Sequence, residues 1–119
     1  MGARPELKIR ARITVGEEIA FGPGKAELLA AIADCGSISA AGRQLGMSYR
    51  RAWLLVDTMN RCFREPLVLA ATGGRQGGGA QLSPLGEAVL AQYRALQSDI
   101  ERAAAPHFTA LKKSLLRSP

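Results

Sequence analysis

Residues 39–62 read SAAGRQLGMSYRRAWLLVDTMNRC, and this stretch decides the fold. It predicts two helices, over residues 40–45 and 48–62, joined by a short turn at Gly46. Glycine permits the left-handed backbone conformation that stops a helix abruptly, and the Ser48 hydroxyl can cap the next helix. Two helices joined by a short turn containing glycine have helix-turn-helix spacing. An ordinary helical hairpin has the same spacing, so this stretch alone leaves both structures open.

The residues that follow favour the helix-turn-helix. Residues 67–82 predict a two-stranded hairpin whose tip, GGRQGGG, carries five glycines around Arg75. Ser83 and the proline after it are a typical helix start, and the apolar spacing extends this long helix over residues 84–105. In a winged helix the same elements follow one another, and the second helix enters the DNA major groove. The alternatives for the tip are a surface loop and a nucleotidase phosphate loop. A phosphate loop, however, needs Gly-Lys before Ser or Thr at the start of a helix.

The rest of the chain completes one predicted domain over residues 1–119. Residues 7–21 are predicted as two N-terminal strands, because apolar and basic residues alternate from Leu7 onwards. A first helix follows and ends at Gly36. Pro106 is expected to interrupt the long helix, which leaves residues 107–117 as a short amphipathic segment. The predicted fold class is therefore mainly α with small β hairpins: a winged helix-turn-helix plus a long C-terminal helix.

Composition indicates a globular protein with an anionic partner. The chain has 119 residues, of which 47% are hydrophobic, and a net charge of +6. Between Arg43 and Leu82 there are six arginines and only two acidic residues, so much of the excess lies near the predicted helix-turn-helix. Arginine suits forked contacts with phosphates and guanine edges. Uninterrupted apolar runs reach only five or six residues and the N-terminus lacks a signal peptide, so we expect a cytoplasmic protein without a membrane segment.

The same sequence offers little for catalysis. Cys35 and Cys62 are far apart and lie among apolar residues, and His107 is the only histidine. No paired carboxylates, metal-ligand spacing or nucleophile-base set is present. We therefore predict no catalytic residue, no metal ligand, no cofactor and no enzymatic activity.

The helix predicted over residues 48–62 has one apolar and one basic face. At about 100° per residue the apolar positions share one side: Ala52, Leu55, Val56 and Met59. The opposite side carries Arg50, Leu54, Asp57 and Arg61. A helix with arginines and an apolar side chain on its outward side is presented to a partner.

Five segments together resemble one known family. They are GSISAA at 36–41, SYRRAW at 48–53, Met59-Asn60, ATGGRQGGGA at 71–80 and Leu82-Ser83. They are similar to the N-terminal DNA-binding domain of the ModE-type molybdate-responsive transcription regulators. The more distant LysR-type regulators share the outline. The resemblance covers residues 7–105.

The resemblance implies a winged-helix fold and a homodimer formed through helices outside the helix-turn-helix. The long helix is then the dimerisation helix, and the operator has dyad symmetry. The family also has a second domain that binds molybdate. This sequence ends at Pro119, so we expect that domain to be lacking. Molybdate is then expected to act only through another domain or a separate sensor protein.

The resemblance also assigns the candidate site residues. Base readout is assigned to Tyr49, Arg50, Arg51, Trp53 and Leu54. Contacts with the DNA backbone are assigned to Ser39, Arg43, Ser48, Arg61, Gly74, Arg75 and Gln76. Two alternatives stay open, since Trp53 could bridge the core instead and Arg61 could be an ordinary solvated charge. Arg75→Ala is expected to weaken binding to all sequences and flatten its salt dependence.

The sequence thus predicts a sequence-specific DNA-binding transcriptional regulator, of molybdate transport or metabolism genes, that binds double-stranded DNA as a dimer. The alternative is a protein-protein interaction module that pairs through its long C-terminal helix. Salt-dependent affinity for duplex DNA would favour the first, and a 1:1 complex with an acidic protein without DNA binding would favour the second.

Overall fold

The computed structural model of the chain describes residues 3–71 and 79–116. In chain order its elements are β1 (Ile13–Val15), β2 (Glu18–Phe21), α1 (Pro23–Cys35), α2 (Ile38–Gln44), α3 (Tyr49–Cys62), β3 (Val68–Ala71), β4 (Gly79–Leu82) and α4 (Pro84–Lys112). The two strand pairs are separate antiparallel hairpins. The predicted fold class, mainly α with small β hairpins and a long C-terminal helix, is confirmed.

The core lies where α1, α2 and α3 meet. Its largest fully buried side chains are Phe21, Leu28, Leu29, Ile32, Val56, Met59 and Leu67. Helix α1 ends at Gly36, which adopts the left-handed conformation with φ +74° and donates its N–H to the Ile32 carbonyl. Phe21 packs edge-on against Phe63 and Tyr93, so one aromatic cluster joins the first hairpin to α3 and α4.

The N-terminal strands are shorter than predicted. Strand β1 begins only at Ile13, which pairs with Phe21 across the hairpin. The chain turns into α1 at Pro23, so no backbone remains to pair with residues 7–12. The prediction of a strand from Leu7 is therefore wrong, because alternation of side chains cannot replace a missing hydrogen-bonding partner.

Residues 7–12 instead run beside α4. The Tyr93 hydroxyl donates a hydrogen bond to the Ala11 carbonyl over 2.7 Å. Leu7 and Ile9 line a shallow hollow together with Phe108 of α4. The apolar side chains that suggested a strand face a helix.

The second hairpin is fixed to the start of α4. Strands β3 and β4 pair in register from Val68 opposite Leu82 to Ala71 opposite Gly79. The Ser83 hydroxyl caps α4 by accepting from the Gly86 N–H over 2.9 Å, and it donates to the Pro66 carbonyl over 2.7 Å. This one side chain therefore holds both ends of the hairpin.

Helix α4 continues through Pro106 to Lys112, so the prediction that Pro106 interrupts it is wrong. Proline removes one hydrogen bond, to the Arg102 carbonyl, and both residues are exposed, so water can solvate that carbonyl. Alanines 103–105 before the proline are strong helix formers. Residues 107–112 thus extend α4 rather than forming a separate segment. At 29 residues the helix is about 43 Å long and projects well beyond the core.

Candidate nucleic-acid interface

Helix α3 is held in place at its N-terminus by a tight turn. Gly46 has φ +71°, a conformation that side chains rarely adopt, and Ser48 caps α3 by accepting from the Arg51 N–H over 3.1 Å. A Cβ atom on Gly42 would lie 3.2 Å from the Cβ of Ala52, so α2 and α3 cross closely. The predicted turn and caps are present, and they fix the direction in which α3 projects.

The outward face of α3 is free of the core. Ala52, Val56 and Met59 are buried, whereas Arg50 is exposed and Leu54 is 56% exposed. A cation and an apolar side chain therefore lie one turn apart on an open helical surface. Such a pair can offer a forked donor and a methyl-sized apolar contact to a partner.

Tyr49 and Trp53 form one flank of this face. Their rings pack edge-on with centroids 6.2 Å apart, and Trp53 is 40% exposed and lies outside the core cluster. The alternative that Trp53 bridges the core is therefore not what the structure shows. Both rings line a cleft of about 310 Å³ between α3, Ser39 of α2 and the base of the second hairpin at Ala70.

Arg43 lies close to that cleft. Its Nη1 donates to the Ser39 Oγ over 3.0 Å, one helical turn away. Both side chains project from α2, and Arg43 is exposed. Two residues that the sequence analysis assigned to contacts with the DNA backbone are thus brought together on α2, the helix before α3.

Asn60 joins α3 to the second hairpin, a role that sequence reasoning missed. Its Oδ1 accepts from the N–H groups of Leu67 and Val68 over 2.9 and 3.2 Å. Its Nδ2 donates to the Val68 carbonyl over 3.2 Å. The amide therefore occupies the edge of β3 as a neighbouring strand would. The available signal was an amide side chain beside the apolar face of α3, eight residues before the start of β3.

Arg61 lies at the other end of α3 and is already engaged. Its Nη2 and Nη1 bind the Glu18 carboxylate at 2.9 and 3.2 Å, and its Nε donates to Asp57 at 3.0 Å. These hydrogen bonds raise the pKa of Arg61, and Arg61 holds the pKa of Glu18 below its ordinary value. Two carboxylates offset its charge, which favours a structural link to β2 over a contact with DNA phosphate.

Arg51 points away from the cleft. On an α-helix it is rotated by about 100° from Arg50. It lines a different hollow, together with Arg12 and the start of α1 at Lys25. The five residues assigned to base readout are therefore spread over an outward face and its two flanks.

Three of the candidate backbone residues, Gly74, Arg75 and Gln76, lie outside the described residues. Their assigned contacts stay predictions from the sequence.

The interface has charge and hydrogen-bonding groups but little catalytic chemistry. Among residues 3–71 and 79–116 no group of three or more His, Cys, Asp or Glu side chains is arranged to hold a metal ion. Burial, together with the neighbouring Glu18 carboxylate, raises the pKa of the Cys62 thiol, so it is a poor nucleophile at neutral pH. In the described part of the chain no helix is both long and apolar enough to cross a membrane.

Comparison with known proteins gives a consistent set of matches. The family model of the bacterial regulatory helix-turn-helix proteins of the lysR family matches residues 24–87. The chain is 46% identical over 83% of its length to the molybdenum-pterin-binding protein MopB of Rhodobacter capsulatus, of which it covers 35%. It is 41% identical over 78% of its length to the molybdenum transport protein ModE of Azotobacter vinelandii, again covering 35% of it.

A further relative is the DNA-binding transcriptional dual regulator ModE of Escherichia coli (strain K12), which is 34% identical over 74% of this chain. The chain spans about a third of the length of these curated relatives. The matches confirm the resemblance that the sequence motifs indicated.

Proposed function

Because this chain belongs to the bacterial regulatory helix-turn-helix family of LysR type, we propose that it is a sequence-specific DNA-binding regulator of transcription that acts in the cytoplasm and has no enzymatic activity. The observation that carries the proposal is the open face of α3, where Arg50 and Leu54 project from a helix that is firmly held on its other side. A helix of this kind fits the major groove, which admits one α-helix.

Base readout is proposed for the outward face and the aromatic flank of α3. Arg50 donates to a guanine edge, and Leu54 contacts a thymine methyl group. Tyr49 and Trp53, which line the cleft toward the second hairpin, contact base edges beside those two. Arg51 completes the set on the opposite flank, next to the first hairpin.

Backbone contacts are proposed for α2 and for the N-terminal end of α3. The first amides of α3, beside Ser48, point out of the helix and favour a phosphate. Ser39 and Arg43, which are hydrogen-bonded to each other on α2, contact phosphates of the same DNA strand. Gly74, Arg75 and Gln76 at the hairpin tip add contacts along the adjacent groove, as the sequence predicts.

The regulated genes are proposed to concern molybdate transport or metabolism. Relatives of this chain are named as a molybdenum transport protein and as molybdenum-pterin-binding proteins. We propose that molybdate acts on this regulator only through another domain or a separate sensor protein. In this proposal the described residues supply the DNA-binding surface.

A dimer on a dyad operator is proposed from the half of α4 beyond Tyr93, of which residues 7–12 cover only one side. Beyond Tyr93 no residue of this helix is buried in the described chain, and its exposed apolar side chains include Leu96 and Leu111. Apolar helical surface of this kind is typical of an interface. The same surface also supports the second candidate function, an interaction module for another protein. In light scattering, a molar mass of two chains supports the dimer. A molar mass of one chain that rises only when a different protein is added supports the interaction module.

Selection of bound duplexes from a random oligonucleotide pool tests the proposal. We expect an enriched motif with two inverted half-sites about one helical turn apart. The same selection with and without added molybdate shows whether the chain alone responds, and we expect no change. Absence of any enriched sequence would contradict sequence-specific binding.

Arg50→Ala tests the assigned reading face. We expect a loss of about 1 to 3 kcal/mol in affinity for the selected duplex, and a much smaller loss for random duplex. Arg102→Ala is the matched control, because Arg102 is an exposed arginine on α4 that binds Ser98 and Asp99. Equal losses of affinity for the selected and the random duplex would contradict a role of Arg50 in base readout.

A further inference from the structure

A second cationic surface lies between the N-terminal segment, the start of α1 and α3. It is a hollow of about 210 Å³ on the side of α3 away from the aromatic cleft. Its basic residues are Arg10, Arg12, Lys25 and Arg51. The described residues that line it include no Asp or Glu. Four cations without an acidic partner on one concave surface attract an anion.

The backbone in this hollow also favours negative charge. Gly22 precedes α1 and provides no side-chain cap, and Pro23 has no N–H group. The N–H groups of Gly24 and Lys25 therefore have no partner within the helix, since the first intrahelical donor is Ala26, which bonds the Gly22 carbonyl at 2.9 Å. The first turn of α1 carries no acidic residue to complement these amides.

Lys25 is the observation that singles out this helix start. Lys25 lines the hollow and is only 9% exposed. Within residues 3–71 and 79–116 its side chain has no hydrogen-bond or ion-pair partner. Burial is the main cause that lowers the pKa of Lys25, and Arg51 lowers it further, whereas Cys62 and Glu18 act in the opposite direction. Glu18 acts on the same amine, but both of its carboxylate oxygens already bind Arg61. Among the described residues no buried side-chain nitrogen lacks a hydrogen bond, so the Lys25 ammonium reaches the surface of the hollow, where an added anion can pair with it.

We propose that this hollow binds one phosphate-type oxyanion through Lys25 and the first amides of α1, and that Arg51 contacts this oxyanion instead of a base edge. If the proposed DNA-binding function holds, that oxyanion is a backbone phosphate next to the groove that α3 enters, because Arg51 is the immediate neighbour of Arg50. A free inorganic oxyanion has the same chemistry and is the other source. Arg10 and Arg12 surround the bound group with further positive charge.

Lys25→Met tests the proposal, because methionine keeps an unbranched apolar stem and removes the charge. Lys113→Met, near the far end of α4, is the control that lowers the net charge equally. Affinity for random duplex is measured by fluorescence anisotropy from 50 to 200 mM salt. Loss of one phosphate contact lowers the slope of log affinity against log salt by about 0.9. In a second experiment the amide signals of Gly24 and Lys25 are followed by NMR while inorganic phosphate is added without DNA.

The outcomes separate the two sources. A slope reduced by Lys25→Met and unchanged by Lys113→Met identifies a DNA phosphate. An unchanged slope with saturable amide shifts that Lys25→Met abolishes identifies a free oxyanion. An unchanged slope without such shifts overturns the proposal. If the unaltered chain shows no salt-dependent DNA binding, the proposed function fails, and the phosphate titration alone decides whether the hollow binds an oxyanion.

Discussion

Asn60→Ala tests how the second hairpin is held against α3. The substitution removes three hydrogen bonds, two accepted from the Leu67 and Val68 N–H groups and one donated to the Val68 carbonyl. Leu67 and Val68 are almost completely buried, at 0% and 4% exposure, so water cannot replace the lost acceptor. Two dry, unpaired donors are the main cost of the change.

The magnitude follows from those two donors. At about 1 to 2 kcal/mol for each buried unsatisfied group, we expect Asn60→Ala to lower the free energy of unfolding by about 2 to 4 kcal/mol. A domain of this length has a total stability of about 6 to 18 kcal/mol, so the variant stays folded but is clearly weakened. The melting temperature is expected to fall by about 10 °C.

Urea denaturation followed by circular dichroism measures this effect. Thr58→Ala is the matched control, because Thr58 also lies on α3 and its hydroxyl bonds only the Leu54 carbonyl, one turn back on its own helix. We expect that control to change stability by less than about 0.5 kcal/mol. If Asn60→Ala costs no more than Thr58→Ala, the amide does not hold the hairpin and the reasoning is refuted.

Two further substitutions test other parts of the fold. Gly86→Ala should lower the free energy of unfolding by at least about 2 kcal/mol, since the new Cβ would lie 2.2 Å from the Leu67 carbonyl oxygen. Gly24→Ala is the control: its new Cβ would meet nothing within 4 Å, so thermal melts should show it to be neutral or stabilising. Glu18→Gln should change the acid dependence of stability: Arg61 lowers the pKa of Glu18 in the folded state, so its contribution is present above about pH 4.5 and disappears as the pH falls through the lowered value. Melts at decreasing pH should show a smaller acid loss for Glu18→Gln than for the unaltered chain, and identical pH profiles would contradict the link.

Much of the fold could be predicted because its signals are local. The turn at Gly46, the cap at Ser48 and the end of α1 at Gly36 each depend on a backbone conformation or a hydrogen bond within a few residues. The amphipathic pattern also placed Arg50 on the outward side of α3, where the structure has it exposed. Local chemistry decides such features before tertiary packing forms.

Features that depend on distant partners were missed or misplaced. The alternation from Leu7 suggested a strand, but the strand needed a pairing partner that the early start of α1 removes. Pro106 suggested a helix break, but the carbonyl it leaves unpaired is exposed to water. The helical pattern placed Arg61 on the outward side of α3, but it could not reveal that Glu18, 43 residues earlier, binds Arg61.

The sequence by itself determined the helix-turn-helix, the basic outward face of α3 and the order of elements around them, because spacing, capping and charge are properties of neighbouring residues. Only the tertiary structure decided which polar groups are satisfied. It pairs Asn60 with the edge of β3, and it leaves the largely buried Lys25 without an ion-pair partner among the described residues. The physical reason is that a charge or an amide acts through whatever lies within a few ångströms of it, and for these two residues the fold, rather than the adjacent sequence, sets those neighbours.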